Sequence, residues 1–211
     1  MSPITKNVSS FLFSLSRSVR LLAAVKGRSA EEITEAAKAG VCIIGENRMQ
    51  EAREHFSSPH FPSGTEKHFI GHLQSNKARE AVELFDVIET VDTVKLAMKI
   101  DAIAGEMGKK QRIYLEVNIG KEKSKFGFAA GELPGAFAVI SKLPNLEIEG
   151  LMGMAPLGKD PRPYFRKLKA LSYALQVKEC SMGMSGDWKE AAEEGATIVR
   201  IGTGIFGERR A

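Results

Sequence analysis

The sequence has few of the residues that announce a covalent scaffold or a metal centre. It carries two cysteines, Cys42 and Cys180, and four histidines in 211 residues. No redox or metal-binding spacing joins the cysteines, so buried free thiols in a reducing compartment are expected. His55 and His60 fall in polar, loop-like surroundings. His68 and His72 are four residues apart around an expected strand, a spacing too long to chelate one ion. No zinc site or other metal is expected. Long hydrophobic runs are also missing, since none approaches the roughly 18 to 20 apolar residues of a membrane span. The net charge of +4 is spread along the chain with no low-complexity tract, which argues against a dedicated nucleic-acid binder. No linker composition interrupts the chain, so one domain over residues 1–211 is expected. Near the start, Arg17 and Arg20 break the apolar stretch after Lys6 and no small-residue cleavage site follows. Residues 1–20 therefore read as a short helical lead-in and not as a secretory signal. A soluble, cytoplasmic protein is expected.

What the chain does have is a repeated sentence. "LLAAVK" (21–26) precedes a helical stretch with Ser29 as N-cap, Glu32 at N3 and Gly40 at its close. "VCIIGEN" (41–47), "KHFIGH" (67–72), "DVIETV" (86–91), "RIYLEVNI" (112–119), "LEIEGLMGM" (146–154), "CSMGMS" (180–185) and "TIVRIGT" (197–203) are each followed by a helical pattern, the last one vestigial. Eight strand-then-helix units imply a parallel sheet with right-handed crossovers, and so an α/β fold closed as a (β/α)8 TIM barrel. An open doubly wound sheet is the alternative. The chain is shorter than the ~250 residues typical of such barrels, and tight loops account for the difference.

The working face of a barrel lies at the C-terminal ends of its strands. Polar or side-chain-free residues gather there: Lys26, Glu46 and Asn47, Gly71 and His72, Asn118, Met152 and Gly153, Met184 and Ser185, Gly202 and Thr203. Strand ends attract Gly, Asn and Ser for turn chemistry in any case, but seven such ends favour a site. "SMGMSGD" and "VRIGTGIFG" offer a hydroxyl, glycines and the N-terminus of a short helix, which together suit a phosphate. If Gly183, Gly186, Gly202 and Gly204 only made turns, that signal would lapse. Arg200 stands among β-branched residues and needs a partner when buried. Glu116 and Glu149 are candidates, and closure of the barrel would bring Arg200 close to Lys26. Alone, Lys26 reads as a surface lysine at a strand end. Beside a phosphate site it reads as an amine whose ammonium form is disfavoured by apolar walls and nearby cations, able to form a Schiff base with a phosphorylated aldehyde or ketone.

The segments "AAVKGR", "GENRMQEAREHF", "HFIGHLQSNKAR", "VNIGKEKSKFGF", "GLMGM" and "SMGMSGDWKEAAEEGATIVRIGTGIFGER" together resemble the YggS/PROSC family of pyridoxal phosphate homeostasis proteins. The resemblance runs in order from about residue 21 to 209. It implies the fold of the alanine racemase N-terminal domain and pyridoxal 5′-phosphate as cofactor, held as a Schiff base on Lys26. It also implies Ser185, Gly202 and Thr203 on the phosphate, Arg200 near the pyridine nitrogen, Asn47 lining the pocket, and Met152 and Met184 packing nearby. An arginine can only donate, so it would keep the ring nitrogen unprotonated and the cofactor a weak electron sink. Racemases of this type take a tyrosine base from a second domain. Here Tyr114, Tyr164 and Tyr173 all fall in expected barrel elements, so the resemblance implies a non-catalytic role with no catalytic residues. Apoenzymes that use pyridoxal phosphate are conceivable recipients, and a monomer is expected. A small amino-acid racemase, or a Schiff-base aldolase on a sugar phosphate, are the competing activities. This chain departs from the family's pattern in a shorter N-terminal lead-in, in Val25 where a serine usually precedes the lysine, and in a shorter link before "SMGMS". The basic loop 120–128 reads equally as a lid that attracts the anionic cofactor or as a solvated charge run.

Overall fold

The computed structural model describes residues 1–122 and 125–208. Its elements run α1 (Pro3–Ser14), β1 (Arg20–Ala24), α2 (Ala30–Lys38), β2 (Ile43–Glu46), α3 (Met49–Phe56) and β3 (Glu66–Phe69). A single 3-10 turn (Ser75–Lys77) leads into α4 (Ala78–Leu84), then β4 (Val87–Val91), α5 (Val94–Glu106), β5 (Gln111–Val117) and α6 (Leu133–Ile140). The chain continues through β6 (Leu146–Gly153), α7 (Arg162–Ala174), β7 (Glu179–Ser181), α8 (Trp188–Glu193), β8 (Ile198–Ile201) and α9 (Thr203–Phe206). All eight strands are parallel and close in sequence order. Pairing of β1 with β8, from Arg20 beside Ile198 to Ala23 beside Ile201, excludes the open sheet.

The apolar runs read as strands because both of their faces are covered. Leu22, Ile43, Val87, Tyr114, Met152 and Ile198 fill the barrel interior, with Ala24, Ile70 and Met154 against them. Alternate residues such as Leu21, Ala23, Ile44, Ile88, Leu115 and Val199 face outward into the larger core under the helices. Each fully buried Leu, Ile or Val contributes roughly 1.5–3 kcal/mol. The capping box expected at α2 is present, with Glu32 N donating to Ser29 Oγ at 3.3 Å and Ser29 N to Glu32 Oε2 at 2.9 Å. The lead-in helix α1 packs onto the last two units: Phe11 meets Trp188 of α8 edge-on at 5.3 Å, and Asn7 donates to the Ile205 carbonyl of α9 at 2.9 Å.

Two expectations about unremarkable residues need correcting. Cys180 is buried, but Cys42 is exposed. Cys42 stands one residue before β2 and lines a cavity together with Leu12 of α1. His55 belongs to α3 and is buried, with Nδ1 2.5 Å from Glu46 Oε1 and Nε2 donating to the Arg28 carbonyl at 2.9 Å. Among the described residues, no helix is long and apolar enough to cross a membrane, and no group of three or more His, Cys, Asp or Glu could hold a metal ion.

Candidate functional site

Strand 1 delivers Lys26 to the mouth of the barrel in a tight turn. The Arg28 amide donates to the Val25 carbonyl at 3.0 Å, and Gly27 takes φ +67°, a left-handed backbone that a side chain would strain. The turn is held from two sides. Gly27 N donates to Glu51 Oε2 at 2.6 Å, and His55 holds the Arg28 carbonyl. The hydrogen bond to Glu46 raises the pKa of His55, which favours the doubly protonated ring that can donate to both acceptors. Arg28 itself reaches α9 and donates to the carbonyls of Phe206, at 3.2 Å, and Gly207. The lysine turn and the expected phosphate helix are thus one mechanical unit.

On the other side of that unit, the β7–α8 loop meets α9, where Gly204 N donates to Ser185 Oγ at 3.2 Å. Gly202 backs directly onto β1, since a Cβ there would lie 3.3 Å from the Ala24 carbonyl oxygen. Thr203 at the start of α9 is exposed. The structure therefore gathers Lys26, Ser185, Gly202 and Thr203 in the sector where β7, β8 and β1 meet. The four glycines of these loops do not share one role. Gly183 has φ +90° and no room for a Cβ against Ala191, and Gly204 is packed against Phe11, so both are required by the fold. A Cβ on Gly186 would meet nothing within 4 Å.

Arg200 points its guanidinium into the barrel from β8, beside Leu22 of β1. Nη1 donates to Ser181 Oγ at 2.8 Å and Nη2 to the Gly153 carbonyl at 3.3 Å. Neither expected partner holds it. Glu149 pairs with Arg112 at the far end of the barrel, 3.7 Å away. Glu116 lies near Arg200 without bonding to it. Burial, reinforced by Asp92, raises the Glu116 carboxyl to about 7 against the pull of the Arg200 charge. Asn47 follows β2, next to the Lys26 turn through the Val25 amide on the Gly45 carbonyl at 3.1 Å. Its Oδ1 is buried and has no hydrogen-bond partner among the described residues. Such an orphan acceptor is costly to keep. Met152 is buried in the interior below, whereas Met184 is 41% exposed at the rim.

Two cavities open at the mouth. One of about 430 Å³ is lined by Asn47, Phe69 and His72, and one of about 490 Å³ by Lys125, Met154, Met184 and Asp187. Another, of about 590 Å³, lies at the opposite end between α1 and the barrel floor and touches none of the expected site residues. The described ends of the basic loop are anchored at the mouth: Phe126 stacks on His72 at 3.5 Å, and Asn118 Nδ2 donates to the Glu122 carbonyl at 2.8 Å. Lys123 and Ser124 lie outside the described residues. His68, which the sequence does not mark as a site residue, is fully buried inside the barrel with Nδ1 2.6 Å from Glu89 Oε1. The signal available was an inward-facing histidine flanked by apolar strand residues, and its partner lies on another strand.

The fold and this mouth define a class, the alanine racemase N-terminal domain, whose family description matches residues 2–210. Within it, the chain belongs to the pyridoxal phosphate homeostasis protein family. It is 39% identical over 210 residues to the family's protein from Synechocystis sp., covering 95% of this chain and 96% of the relative. It is 39% identical over 211 residues to the human protein, covering 90% and 76%. Among solved structures it is similar to PipY of Synechococcus elongatus with PLP bound, with a TM-score of 0.90 and 38% identity over 97% of this chain and 100% of that one.

Proposed function

We propose that this protein binds pyridoxal 5′-phosphate at the barrel mouth, holds it as a Schiff base on Lys26, and serves the homeostasis of that cofactor without catalysis of its own. The observation that carries the reading is the convergence of the Lys26 turn, Arg200 and the Ser185–Gly204 link where β7, β8 and β1 meet. The similarity to PipY, a protein solved with PLP bound, supports it. Ser185, Gly202 and Thr203 would take the phosphate, with a hydroxyl and backbone amides at the α9 terminus as donors. Asn47 would give its unpartnered Oδ1 a donor from the ligand or its hydration. Arg200 would face the ring nitrogen, and because a guanidinium has no acceptor it would leave that nitrogen unprotonated.

Pyridoxal phosphate is an electron sink in enzymes that work on amino acids, and that capacity is weak when its ring nitrogen carries no proton. The chain's own residues favour the same conclusion. Tyr114 is buried in the interior from β5, while Tyr164 and Tyr173 ride on α7, so none serves the mouth as a base. The protein would hold and release the cofactor as a monomer, with apoenzymes that need it as recipients. The deciding measurement is a visible absorption spectrum after addition of pyridoxal phosphate, for the parent and for Lys26→Ala. A yellow imine band in the parent that is absent from the variant is the expected result. A parent that stays colourless, or a band retained by Lys26→Ala, overturns the reading. Turnover of an amino acid by the coloured protein would overturn its non-catalytic part.

A further inference from the structure

A single line of polar contacts runs up the inside of this barrel, from floor to mouth. At the floor, Glu66 receives Arg112 at 2.5 Å and Arg20 at 3.2 Å. The same carboxylate lies 3.2 Å from His68 Nε2, and His68 Nδ1 lies 2.6 Å from Glu89 Oε1. Ser181 Oγ donates to Glu89 Oε2 at 2.6 Å, and Arg200 Nη1 donates to Ser181 Oγ at 2.8 Å. The line uses β3, β4, β7 and β8 and crosses the barrel axis between Glu89 and Ser181. His68, Glu89 and Ser181 are fully buried.

Barrel interiors are ordinarily filled by branched apolar side chains. An ion pair buried in their place is at best a weak source of stability, because desolvation offsets its attraction. This line therefore calls for a reason other than stability, and its chemistry supplies one. His68 Nδ1 donates to Glu89, Nε2 lies 3.2 Å from Glu66 as an ion contact without a formed hydrogen bond, and the two carboxylates hold the His68 pKa up against burial. Glu89, kept anionic by His68 and the Arg200 charge, takes the single hydroxyl proton of Ser181. The serine oxygen can then present only lone pairs to Arg200. With the Gly153 carbonyl as second acceptor, two of the five guanidinium donors are committed and the plane of the group is fixed. Three donors remain for a group in the mouth. A carboxylate in direct contact would have taken them. A hydroxyl between the two leaves the cation available.

We infer that Glu66, His68, Glu89 and Ser181 form a positioning chain for Arg200, setting how that guanidinium meets the ring of a ligand in the mouth and so how long the ligand stays. The proposal rests on the cofactor reading above for the identity of that ligand. None of the four is a catalytic residue, since each acts through Arg200.

The test combines Ser181→Ala, Arg200→Gln and their double variant, with Tyr114→Phe as a control. Tyr114 packs edge-on to His68 at 6.1 Å but donates to nothing in the line. Each variant is loaded with pyridoxal phosphate, and the rate of cofactor loss and the position of the visible band are measured alongside Tm. Ser181→Ala should release the cofactor about tenfold faster, the worth of one hydrogen bond to a charged group, and shift its band. Adding it to Arg200→Gln should change neither quantity further. Tyr114→Phe should keep the parent's band and release rate. A folded Ser181→Ala with the parent's band and release rate, or full additivity in the double variant, overturns the proposal. If Ser181→Ala fails to fold, nitrogen NMR of the parent without ligand decides. Both ring nitrogens of His68 protonated at neutral pH support the chain, and a singly protonated ring breaks it. That readout needs no cofactor, so a colourless parent overturns the cofactor reading and leaves the chain judged on the NMR result.

Discussion

The floor and the mouth of this barrel treat buried charge in opposite ways. At the floor Glu66 serves Arg20, Arg112 and His68, while Arg20 also meets Glu179 at 3.1 Å and Arg112 meets Glu149 at 3.7 Å. Each of these three cations has a carboxylate. At the mouth Asn47 Oδ1 has no partner, Arg200 spends two of its donors on a hydroxyl and a carbonyl, and Glu116 forms no ion pair among the described residues. A polar group left short of partners in an otherwise closed barrel is destabilising, and at the mouth such groups suit the binding proposed above. The floor's ion pairs serve the fold, while Gln111 Oε1 at the start of β5 is also buried without a partner among the described residues. This division matches the general separation of stability and activity between the two faces of such barrels.

The comparison breaks most visibly at Glu66. Glu66→Ala leaves three cations around one vacated acceptor and should cost about 3–5 kcal/mol in urea unfolding at pH 7. A loss below about 1 kcal/mol would mean that the floor cluster is ornamental. The pH dependence gives the same test in the parent. His68, and after it Arg112, hold the Glu66 carboxyl down at about 2. A depressed carboxyl stabilises above its unfolded value of 4.5 and loses that contribution as pH falls through about 2. The parent should lose roughly 3 kcal/mol across that window from this group, and Glu66→Gln should flatten the slope.

Glu116 sharpens the comparison from the other end. Burial raises its pKa to about 7, so the folded protein binds a proton that the unfolded chain gives up near 4.5. Stability from this group is present at pH 4.5 and falls as pH rises to about 7, the reverse of Glu66. Glu116→Gln removes the penalty and should stabilise the ligand-free protein at pH 8 by about 1–3 kcal/mol while changing little at pH 5. Equal Tm values for parent and variant at both pH values would remove Glu116 from the set of groups that the mouth leaves short of partners.

Much of this architecture is legible in the sequence, and the parts that are not share a cause. The eight strands read clearly because parallel strands buried on both faces are unbroken apolar runs, and Lys26, Ser185, Gly202 and Thr203 read as strand-end exceptions to them. The closing pair, Leu22 beside Arg200, follows from the count. The partner of Arg200 does not. Charge alone nominates Glu116 or Glu149, whereas the register of β7 against β8 brings in Ser181, and the hydroxyl joins Glu89 across 92 residues of sequence. His55 was hidden for a similar reason. Its surroundings are polar in sequence, but the phase of α3 turns it toward Glu46. Periodicity reports which face a residue takes, and it is silent on which strand lies opposite.

The smallest effect belongs to the residue that fits neither end. Tyr114 sits midway up the interior with its hydroxyl buried and without a partner among the described residues, and burial pushes its ionisation far above the usual phenol range. The floor's ion pairs lie below it and the Ser181–Arg200 contact lies across the barrel, so the hydroxyl reaches no acceptor in either. Its ring fills the interior edge-on to His68, which is a packing role that phenylalanine can fill. Removing an unpartnered buried hydroxyl while keeping the ring costs no hydrogen bond and relieves a desolvation penalty. Tyr114→Phe should therefore raise stability by up to about 1 kcal/mol, read as a small increase in Tm at neutral pH. A clear loss would show that the hydroxyl has a partner, in practice a bound water, and that the barrel's middle layer belongs to the polar line beside it.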